Sequence, residues 1–226
     1  MLKKLVCLVI ILFGSTSLFA FTAGEKIIYP GFGIGISSGD AKGISGSDMG
    51  LLMGGNSSLF KNGENDVSFA YSIGAMFDYF MTDSLALTSG LSYDRSPYKL
   101  TYPKNTATED LEFTVDFAFL TVPIGFHYYY ENFLLIGGGF YFGKTISDDS
   151  ELKYGSTKED VKLETKNDIG LFLDLGLNFE LSETNNILAY VRYKRGLSNV
   201  YDDEEDVVTD IKMRTLTLNL AYGIKF

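Results

Sequence analysis

The chain has very little cysteine, and beyond its N-terminal region it has no long apolar run. Its 226 residues include one cysteine, one histidine and no tryptophan. The cysteine is Cys7, and a lone cysteine cannot close an intramolecular disulfide. Beyond the N-terminal region no apolar run approaches the ~20 residues that a membrane-spanning helix requires. These absences exclude a disulfide-stapled domain and a helical membrane protein, and the abundance of Gly, Phe and Tyr predicts one β-rich domain.

The N-terminus has the pattern of a secretory signal. Met1 to Lys4 is basic, Leu5 to Gly14 is apolar, and Ser15 to Ala20 is rich in small residues. A membrane-spanning helix is the alternative, but the apolar run is about half the length that a bilayer requires. We predict that residues 1–20 are a signal removed after Ala20, although the bulky Leu18 permits a site a few residues away. The mature barrel domain is then 21–226, without a thiol.

Positive charge is scarce as well. The chain has 19 Lys and Arg against 29 Asp and Glu, a formal net charge of -10. Losing Lys3 and Lys4 with the signal takes this charge from -10 to -12. Such an acidic balance argues against nucleic acid or an anionic lipid surface as an electrostatic partner.

The C-terminal residues alternate strictly between apolar and small or polar side chains. The apolar members are Leu216, Leu218, Leu220, Tyr222, Ile224 and Phe226. Period-two alternation places one set of side chains on each face of a strand. A chain that ends on such a strand resembles a bacterial outer-membrane β-barrel, and a soluble barrel with its apolar face turned inward is the alternative.

Eight segments alternate in this way over lengths that suit tilted membrane strands. They lie at about 27–38, 66–81, 85–96, 111–129, 133–146, 163–180, 187–198 and 211–226. Their connections alternate in length, with short turns at 82–84, 130–132 and 181–186 and long loops at 39–65, 97–110, 147–162 and 199–210. Short periplasmic turns and long extracellular loops are typical of outer-membrane barrels. We therefore predict an all-β fold, an eight-stranded antiparallel up-and-down transmembrane β-barrel whose apolar face contacts lipid.

Two further features bear on this barrel. The apolar residues of the fourth segment change parity after Phe119, which predicts a β-bulge near Phe119 and Leu120. Aromatic residues near the short turns predict a girdle at the membrane interface. They are Tyr79, Phe80, Tyr128, Tyr129, Phe133, Phe179 and Phe226.

The interior of an eight-stranded barrel is just wide enough for side chains to fill it. Strand parity turns several charged residues inward, namely Asp78, Asp94, Asp116, Asp168, Asp174, Glu180, Arg192 and Lys194. Buried charges require partners. Counting back from the turn at 181–186 places Asp174 opposite Arg192 and Phe172 opposite Lys194. We predict an Asp174–Arg192 pair within a lumen charge network of Asp78, Asp116, Asp174, Arg192 and Lys194.

No motif indicates an enzyme or a cofactor. His127 lies near a short turn with no serine beside it, so we interpret it as a lone interfacial histidine and expect no catalytic residue. The alternating glycines precede no helix, which argues against a phosphate loop. The acidic loop residues at 148–160 and 202–206 lack the spacing of a calcium loop, and a solvated anionic surface is the favoured interpretation. We expect neither a cofactor nor a metal.

Several runs resemble the small bacterial outer-membrane β-barrel domain family, in particular its PorT-like branch. They are LTVPIGFHYYY (120–130), FLLIGGGFYFG (133–143), DIGLFLDLGLNFEL (168–181), VRYKRGLSNV (191–200) and RTLTLNLAYGIKF (214–226). The resemblance implies an integral outer-membrane barrel, inserted by the barrel assembly machinery that reads a C-terminal signal, here Tyr222, Ile224 and Phe226. It implies no known activity.

We therefore expect a barrel with a largely filled lumen, surrounded by outer-membrane lipid, with a structural or surface-interaction role. Its long loops then contact an extracellular ligand. The alternative is a narrow pore or transport barrel for a small solute, which the inward glycines permit and whose lumen charges would line the path unpaired.

Overall fold

The computed structural model describes residues 20–42, 64–102, 111–154, 157–161, 164–202 and 210–226. Eight strands dominate, each connected to the next in chain order. They are β1 (Lys26–Lys42), β2 (Ser68–Phe80), β3 (Leu85–Tyr102), β4 (Leu111–Tyr130), β5 (Leu134–Tyr154), β6 (Asp168–Glu180), β7 (Asn185–Gly196) and β8 (Asp210–Lys225). Four shorter strands lie in the long connections, at Glu64–Asp66, Thr157–Val161, Glu164–Thr165 and Tyr201–Asp202.

Each of the eight strands pairs antiparallel with its neighbours in sequence, and β1 also pairs with β8. The β1–β8 ladder begins at Ile27 opposite Lys225 and continues to Lys42 opposite Asp210. This pairing closes the sheet, so the eight strands form an up-and-down barrel, as the sequence predicts. Both ends of the chain that the structure describes lie at the end of the barrel where the short turns are.

Alternation accounts for the two faces of the wall. On β6, the residues from Asp168 to Asp174 alternate between buried and exposed, with Leu173 63% exposed and Asp174 3% exposed. On β8, Leu218 is 59% exposed whereas Asn219 is 6% exposed. On these two strands the apolar side chains therefore lie mainly on the outside of the barrel and the small or polar ones on the inside, with the buried Phe172 as an exception. Among the described residues, no helix is both long and apolar enough to span a membrane.

The turn between β4 and β5 is short, with three residues between the paired Tyr130 and Leu134. Glu131 and Asn132 have φ angles of 49° and 57°, and the Phe133 N–H donates to the Tyr130 carbonyl over 3.1 Å. Two consecutive left-handed residues match the right-handed twist of the flanking strands. The predicted short turn at 130–132 is thus present.

β1, β3 and β5 are longer than the sequence predicts, whereas β4 matches its predicted segment to within one residue. β3, β4 and β5 contain 18, 20 and 21 residues, whereas about 9–11 residues cross a membrane. In β3 and β5 the extra residues are 97–102 and 147–154, which were predicted to be loop. The polar residues of these segments are typical of loops. In the structure, however, Glu64–Asp66 pairs with β3 and Thr157–Val161 pairs with β5, and this pairing continues the sheet. These strands project beyond the long-loop end of the membrane band, and we call this part the projecting sheet.

The predicted change of face within β4 is wrong. Val115, Phe117 and Phe119 are all buried, on the same inward parity as Thr121 and His127. A register shift does lie between Ala118 and Phe119, but the extra residue is Ile146 on β5. Phe117 and Phe119 are large apolar residues on the inner face. The apolar positions of the sequence therefore change parity although the strand keeps the same face inward.

Two members of the predicted aromatic girdle also turn inward. Phe80 and Tyr129 are 0% exposed, whereas Tyr79, Tyr128 and Phe226 lie on the outside at 39%, 44% and 71% exposure. Phe80 and Tyr129 pack with Phe21 at the short-turn end of the lumen. An interfacial girdle and an internal cluster have the same sequence signal, because both place aromatics near strand ends.

Candidate functional site in the barrel lumen

His127 is the centre of a buried polar cluster. Its Nδ1 lies 3.0 Å from Asp78 Oδ2 and its Nε2 lies 3.1 Å from Asp174 Oδ2, and all three side chains are fully buried. Ionised carboxylates are acceptors only, so an imidazole bonded to both of them donates from both nitrogens and carries a positive charge. The interpretation of His127 as an interfacial residue is therefore wrong.

Small residues on the neighbouring strands let the His127 ring reach both carboxylates. Gly137 on β5 lies directly opposite His127 on one side and Asp174 on the other. A Cβ atom on Gly137 would lie 2.3 Å from the ring carbon Cδ2 of His127. Ala86 on β3 is the partner of His127 on its other side, toward Asp78 on β2. The ring thus crosses one strand in each direction.

Arg192 and Tyr129 complete the cluster. Arg192 lies opposite Asp174, as counting from the turn predicts, and donates from Nε and Nη2 over 2.8 and 2.6 Å. The Tyr129 hydroxyl donates to Asp78 Oδ2 over 2.6 Å. The two carboxylates are thereby balanced by one guanidinium and one imidazolium. Neutrality and multiple hydrogen bonds are what a group of buried charges requires.

A second ion pair crosses the lumen. Lys194 on β7 donates to Asp94 on β3 over 2.6 Å, although these strands are not neighbours in the sheet. Lys194 lies opposite Phe172, which agrees with the predicted register. Beside this pair the Tyr141 hydroxyl donates to Asp168 over 2.7 Å. A cavity of about 50 Å³ lies among these groups, with Arg192 and Lys194 in its lining. It has room for a few water molecules, since one water needs ~10–15 Å³ of such volume.

Apolar side chains lie on both sides of the polar cluster along the lumen. At the short-turn end Phe21 stacks on Phe80 with ring centroids 4.3 Å apart and meets the edge of Tyr129 at 4.9 Å. Toward the long-loop end Phe117 and Phe119 stack at 5.7 Å. Further buried apolar side chains of this outer region include Tyr98, Leu100, Val115, Ile211 and Met213.

The structure does not bring all the predicted network residues together. Asp78, Asp174 and Arg192 share the His127 cluster, and Lys194 belongs to the separate pair with Asp94. Asp116 is not in the lumen: it faces outward, 24% exposed, and binds the Arg95 guanidinium, with 2.8 Å to Nε. The reason is that β4 keeps one parity throughout, so its even-numbered residues point outward. Tyr222, Ile224 and Phe226 lie on the outer face at 43%, 41% and 71% exposure.

The cluster lacks the parts of a hydrolytic site. Both ring nitrogens of His127 are occupied by carboxylates, and no Ser or Thr hydroxyl bonds to it among the described residues. Within the residues that the structure describes, no group of three His, Cys, Asp or Glu side chains is arranged to hold a metal ion. Most of the acidic run at 202–206 lies outside the described residues.

The chain is similar to several solved structures. OprG from Pseudomonas aeruginosa is 16% identical, over 92% of this chain and 98% of that one, with a TM-score of 0.46. Outer Membrane Protein W from Escherichia coli is 16% identical over 91% and 99%, with a TM-score of 0.42. Ail from Yersinia pestis is 15% identical over 90% and 100%, with a TM-score of 0.39.

No curated protein matches the chain in sequence. A family match does cover most of the barrel: residues 31–202 match the family described as "Outer membrane protein beta-barrel domain". This match runs from within β1 to beyond the end of β7 and includes Asp78, His127, Asp174 and Arg192. The chain belongs to the outer membrane protein β-barrel domain family.

Proposed function

We propose that this protein is a closed, non-conducting outer-membrane barrel that acts through the surface it presents outside the cell. The observation that carries the proposal is the filling of the lumen at both ends. Phe21, Phe80 and Tyr129 are 0% exposed at the short-turn end, and Phe117 is 0% exposed toward the other end. A conducting pore needs a continuous aqueous path, and packed aromatic rings interrupt such a path.

The polar residues between the two apolar regions support the same proposal. A selective channel presents charges to the passing ion. Here the Asp174 carboxylate binds both His127 and Arg192, and Asp94 binds Lys194. These charges are neutralised by one another, which suits a structural role that fixes strand register in the lumen.

The projecting sheet supplies a surface for interaction. Its outer face carries ion pairs from neighbouring strands, with Glu112 between Lys99 at 3.3 Å and Lys153 at 3.5 Å. Its inner face carries Tyr98 and Val115, both 0% exposed. Paired strands with a packed inner face form a rigid platform, and binding residues are often carried by loops held on such a platform. An adhesive or other surface-interaction role is the function that this architecture supports best.

One observation favours the alternative of a narrow pore or transport barrel. The cavity of about 50 Å³ lies at the middle of the lumen beside Arg192 and Lys194. A small solute or ion would pass through it if the aromatic residues at both ends moved aside. Conductance therefore distinguishes the two functions.

The experiment is to fold residues 21–226 into a planar bilayer and to record current. We expect no unitary conductance from the wild type. A variant with Phe21→Ala, Phe80→Ala, Phe117→Ala and Phe119→Ala serves as the open control, because it removes two large rings at each end and should conduct. Reproducible unitary currents from a folded wild-type barrel would overturn the closed-barrel proposal in favour of the pore.

We also propose the processing and assembly that the sequence predicts. Cleavage after Ala20 would make Phe21 the first residue of the mature chain, and Phe21 packs inside the barrel mouth. The outward-facing Tyr222, Ile224 and Phe226 would be read by the barrel assembly machinery. The assignment to a PorT-like branch stays a prediction. These proposals are tested by the N-terminal sequence of the exported protein and by the substitution of Phe226 discussed below.

A further inference from the structure

The outer part of β3 touches the opposite wall of the barrel. The Ser37 hydroxyl on β1 donates to the Pro97 carbonyl on β3 over 2.5 Å, although β2 lies between these two strands in the sheet. The Ser96 hydroxyl on β3 lies 3.4 Å from the Thr215 hydroxyl on β8. These three hydroxyl side chains belong to residues that are at most 5% exposed. At this level the lumen is narrowed to direct contact between its walls.

Tyr98 extends this contact further toward the long-loop end. A Cβ atom on Gly39 of β1 would lie 2.5 Å from the ring carbon Cδ2 of Tyr98, so the ring lies against the β1 backbone. Tyr98 is itself fully buried. On the other side of the contact, Ser96 and Thr215 line the central cavity of about 50 Å³. The contacts between β3 and the facing strands therefore close this cavity toward the long-loop end.

The base of the projecting sheet carries irregularities at one level. Among the described residues, the β2–β3 pairing leaves out residues 96–98 of β3, where Pro97 has no N–H to donate. Between β4 and β5 the register shifts after Ala118, beside the extra residue Ile146. The two irregularities lie next to each other, because Ala118 is the cross-strand partner of Arg95. Bulges and interrupted ladders are places where a sheet bends.

We propose that the projecting sheet is a lid over the central cavity, hinged along Pro97, Ala118 and Ile146. Its contacts with Ser37 and Gly39 of β1 and with Thr215 of β8 hold it shut. Each of these contacts is weak by itself, so the lid opens far more readily than the barrel unfolds. Opening lets small solutes exchange with the cavity from the cell exterior, which the long-loop end faces in barrels of this type. The lid presupposes the closed barrel proposed above and adds a route by which its cavity exchanges its content.

The test measures how fast a thiol inside the cavity is modified. Residues 21–226 contain no cysteine, so Ser72→Cys places a single thiol in the cavity lining. The folded barrel in lipid nanodiscs is mixed with 2-hydroxyethyl methanethiosulfonate, a small neutral reagent, and the modified fraction is followed by mass spectrometry. Thr184→Cys, at an exposed residue of a short turn, is the reference for an open thiol. We expect Ser72→Cys to react much more slowly than Thr184→Cys.

Substitutions at the contact give the sharper result. Adding Ser37→Ala to Ser72→Cys removes the hydrogen bond to Pro97 and should raise the rate by about fivefold, which corresponds to the ~1 kcal/mol of one hydrogen bond. Ser38→Ala, at the half-exposed neighbour on the outer face, is the matched control and should leave the rate unchanged. Phe21→Ala should also leave it unchanged, because the His127 cluster still lies between Phe21 and the cavity.

A disulfide supplies a second measurement that does not depend on Ser37→Ala folding. The hydroxyls of Ser96 and Thr215 are close enough for Ser96→Cys and Thr215→Cys to form a disulfide on mild oxidation. Mass spectrometry verifies this bond in a chain that also carries Ser72→Cys. The oxidised form should lock the lid and stop the modification of Ser72→Cys.

Three outcomes would overturn the lid. The first is a modification rate that Ser37→Ala leaves unchanged, or that Ser38→Ala raises equally. The second is a larger increase with Phe21→Ala than with Ser37→Ala, which would assign the route to the short-turn end. The third is a disulfide that does not form, or one that forms and leaves the modification of Ser72→Cys as fast as before. The closed barrel itself fails only if the wild type carries unitary currents, so the two proposals fail separately.

Discussion

His127 joins residues from three strands into one buried group. Its bonds to Asp78 and Asp174 are 3.0 and 3.1 Å long, and Arg192 binds Asp174 from the opposite side. Each charge in this group is stabilised by a charge of opposite sign, and each loses that compensation if a neighbour is removed. The consequences of single substitutions are therefore large at this point of the lumen and small on the exposed rims.

Replacing Arg192 with Ala should strongly destabilise the barrel. The change leaves two buried carboxylates with a single imidazolium between them, and breaking a buried ion pair typically costs about 3–5 kcal/mol. The free energy of unfolding in urea, measured in lipid vesicles, tests this expectation. Asp174→Asn in the same background should recover part of the loss, because it removes the uncompensated charge. Unfolding that matches the wild type would show that the pair contributes nothing.

Replacing Gly137 with Ala should disturb the same group by steric means. The added Cβ would approach the His127 ring to 2.3 Å and the Phe126 carbonyl oxygen to 3.0 Å. Because the ring is fully buried and bonded on both sides, it has no free space to move into, and we expect a loss of about 1–3 kcal/mol.

Gly143→Ala is the matched control for Gly137→Ala, since it lies on the same strand and the same inward face. A Cβ atom there would have its nearest neighbours at 3.4 and 3.5 Å, which is ordinary contact. We expect it to change the free energy of unfolding little. Equal losses for the two glycine variants would contradict the steric argument.

At the scale of single elements, the segment before β1 packs into the short-turn end of the lumen. Phe21 packs against both Phe80 and Tyr129, and the Lys225 ammonium lies 4.8 Å from the centre of its ring. The Gly24 N–H donates to the Phe80 carbonyl over 2.8 Å, at a φ of 94° that favours glycine. Backbone and ring contacts together fold this segment back into the barrel mouth.

Phe21→Ala should weaken the short-turn end of the barrel. A Phe to Ala change in a core costs about 3–5 kcal/mol, and we expect the lower end of this range because the segment precedes the first strand. The same variant should allow water-soluble quenchers to reach Tyr129 from the short-turn side, measured as quenching of tyrosine fluorescence in a background where the other tyrosines are replaced by Phe. Thr22→Ala, at an exposed neighbour, is the control. Unchanged stability and unchanged quenching would show that Phe21 does not close the lumen.

At the scale of the whole molecule, the barrel has two chemically different rims. The short-turn rim is closed by internal aromatics, and the long-loop rim continues into the projecting sheet. The outer wall between them is almost entirely apolar, with Phe32, Ile124, Phe140 and Leu218 between 55% and 66% exposed. Such a molecule is stable only where lipid covers this wall.

Phe226→Ala should separate assembly in cells from stability in vitro. Phe226 is 71% exposed and its ring centre is 6.4 Å from that of Phe77, so an isolated barrel in detergent should lose only about 0.5 kcal/mol. If the machinery reads the C-terminal strand, the amount of protein in the outer membrane should fall much more. Phe140→Ala, at a 66% exposed residue in mid-barrel, is the matched control. Equal membrane levels for the two variants would contradict a role for Phe226 in assembly.

The sequence by itself determined the barrel and part of its interior. Alternation is a local property, so it predicted the eight strands, their antiparallel order and the outward face of β8. The register of two strands joined by a short turn depends mainly on residues close in sequence. Counting from the turn therefore predicted that Arg192 lies opposite Asp174. The lengths of β3 and β5 were less predictable, because pairing with a neighbour, rather than composition, continues these strands beyond their predicted ends.

Only the tertiary structure decided the contacts between residues that no short turn relates. His127 meets Asp78 and Asp174 because the closed wall places Ala86 and Gly137 beside it, and Lys194 meets Asp94 across the lumen. Asp116 turned outward because β4 packs Val115 and Phe117 inward, which hydropathy alone cannot distinguish from a change of face. The curvature of the closed sheet sets the distances between these side chains. The two-residue alternation of the sequence contains no information about that curvature.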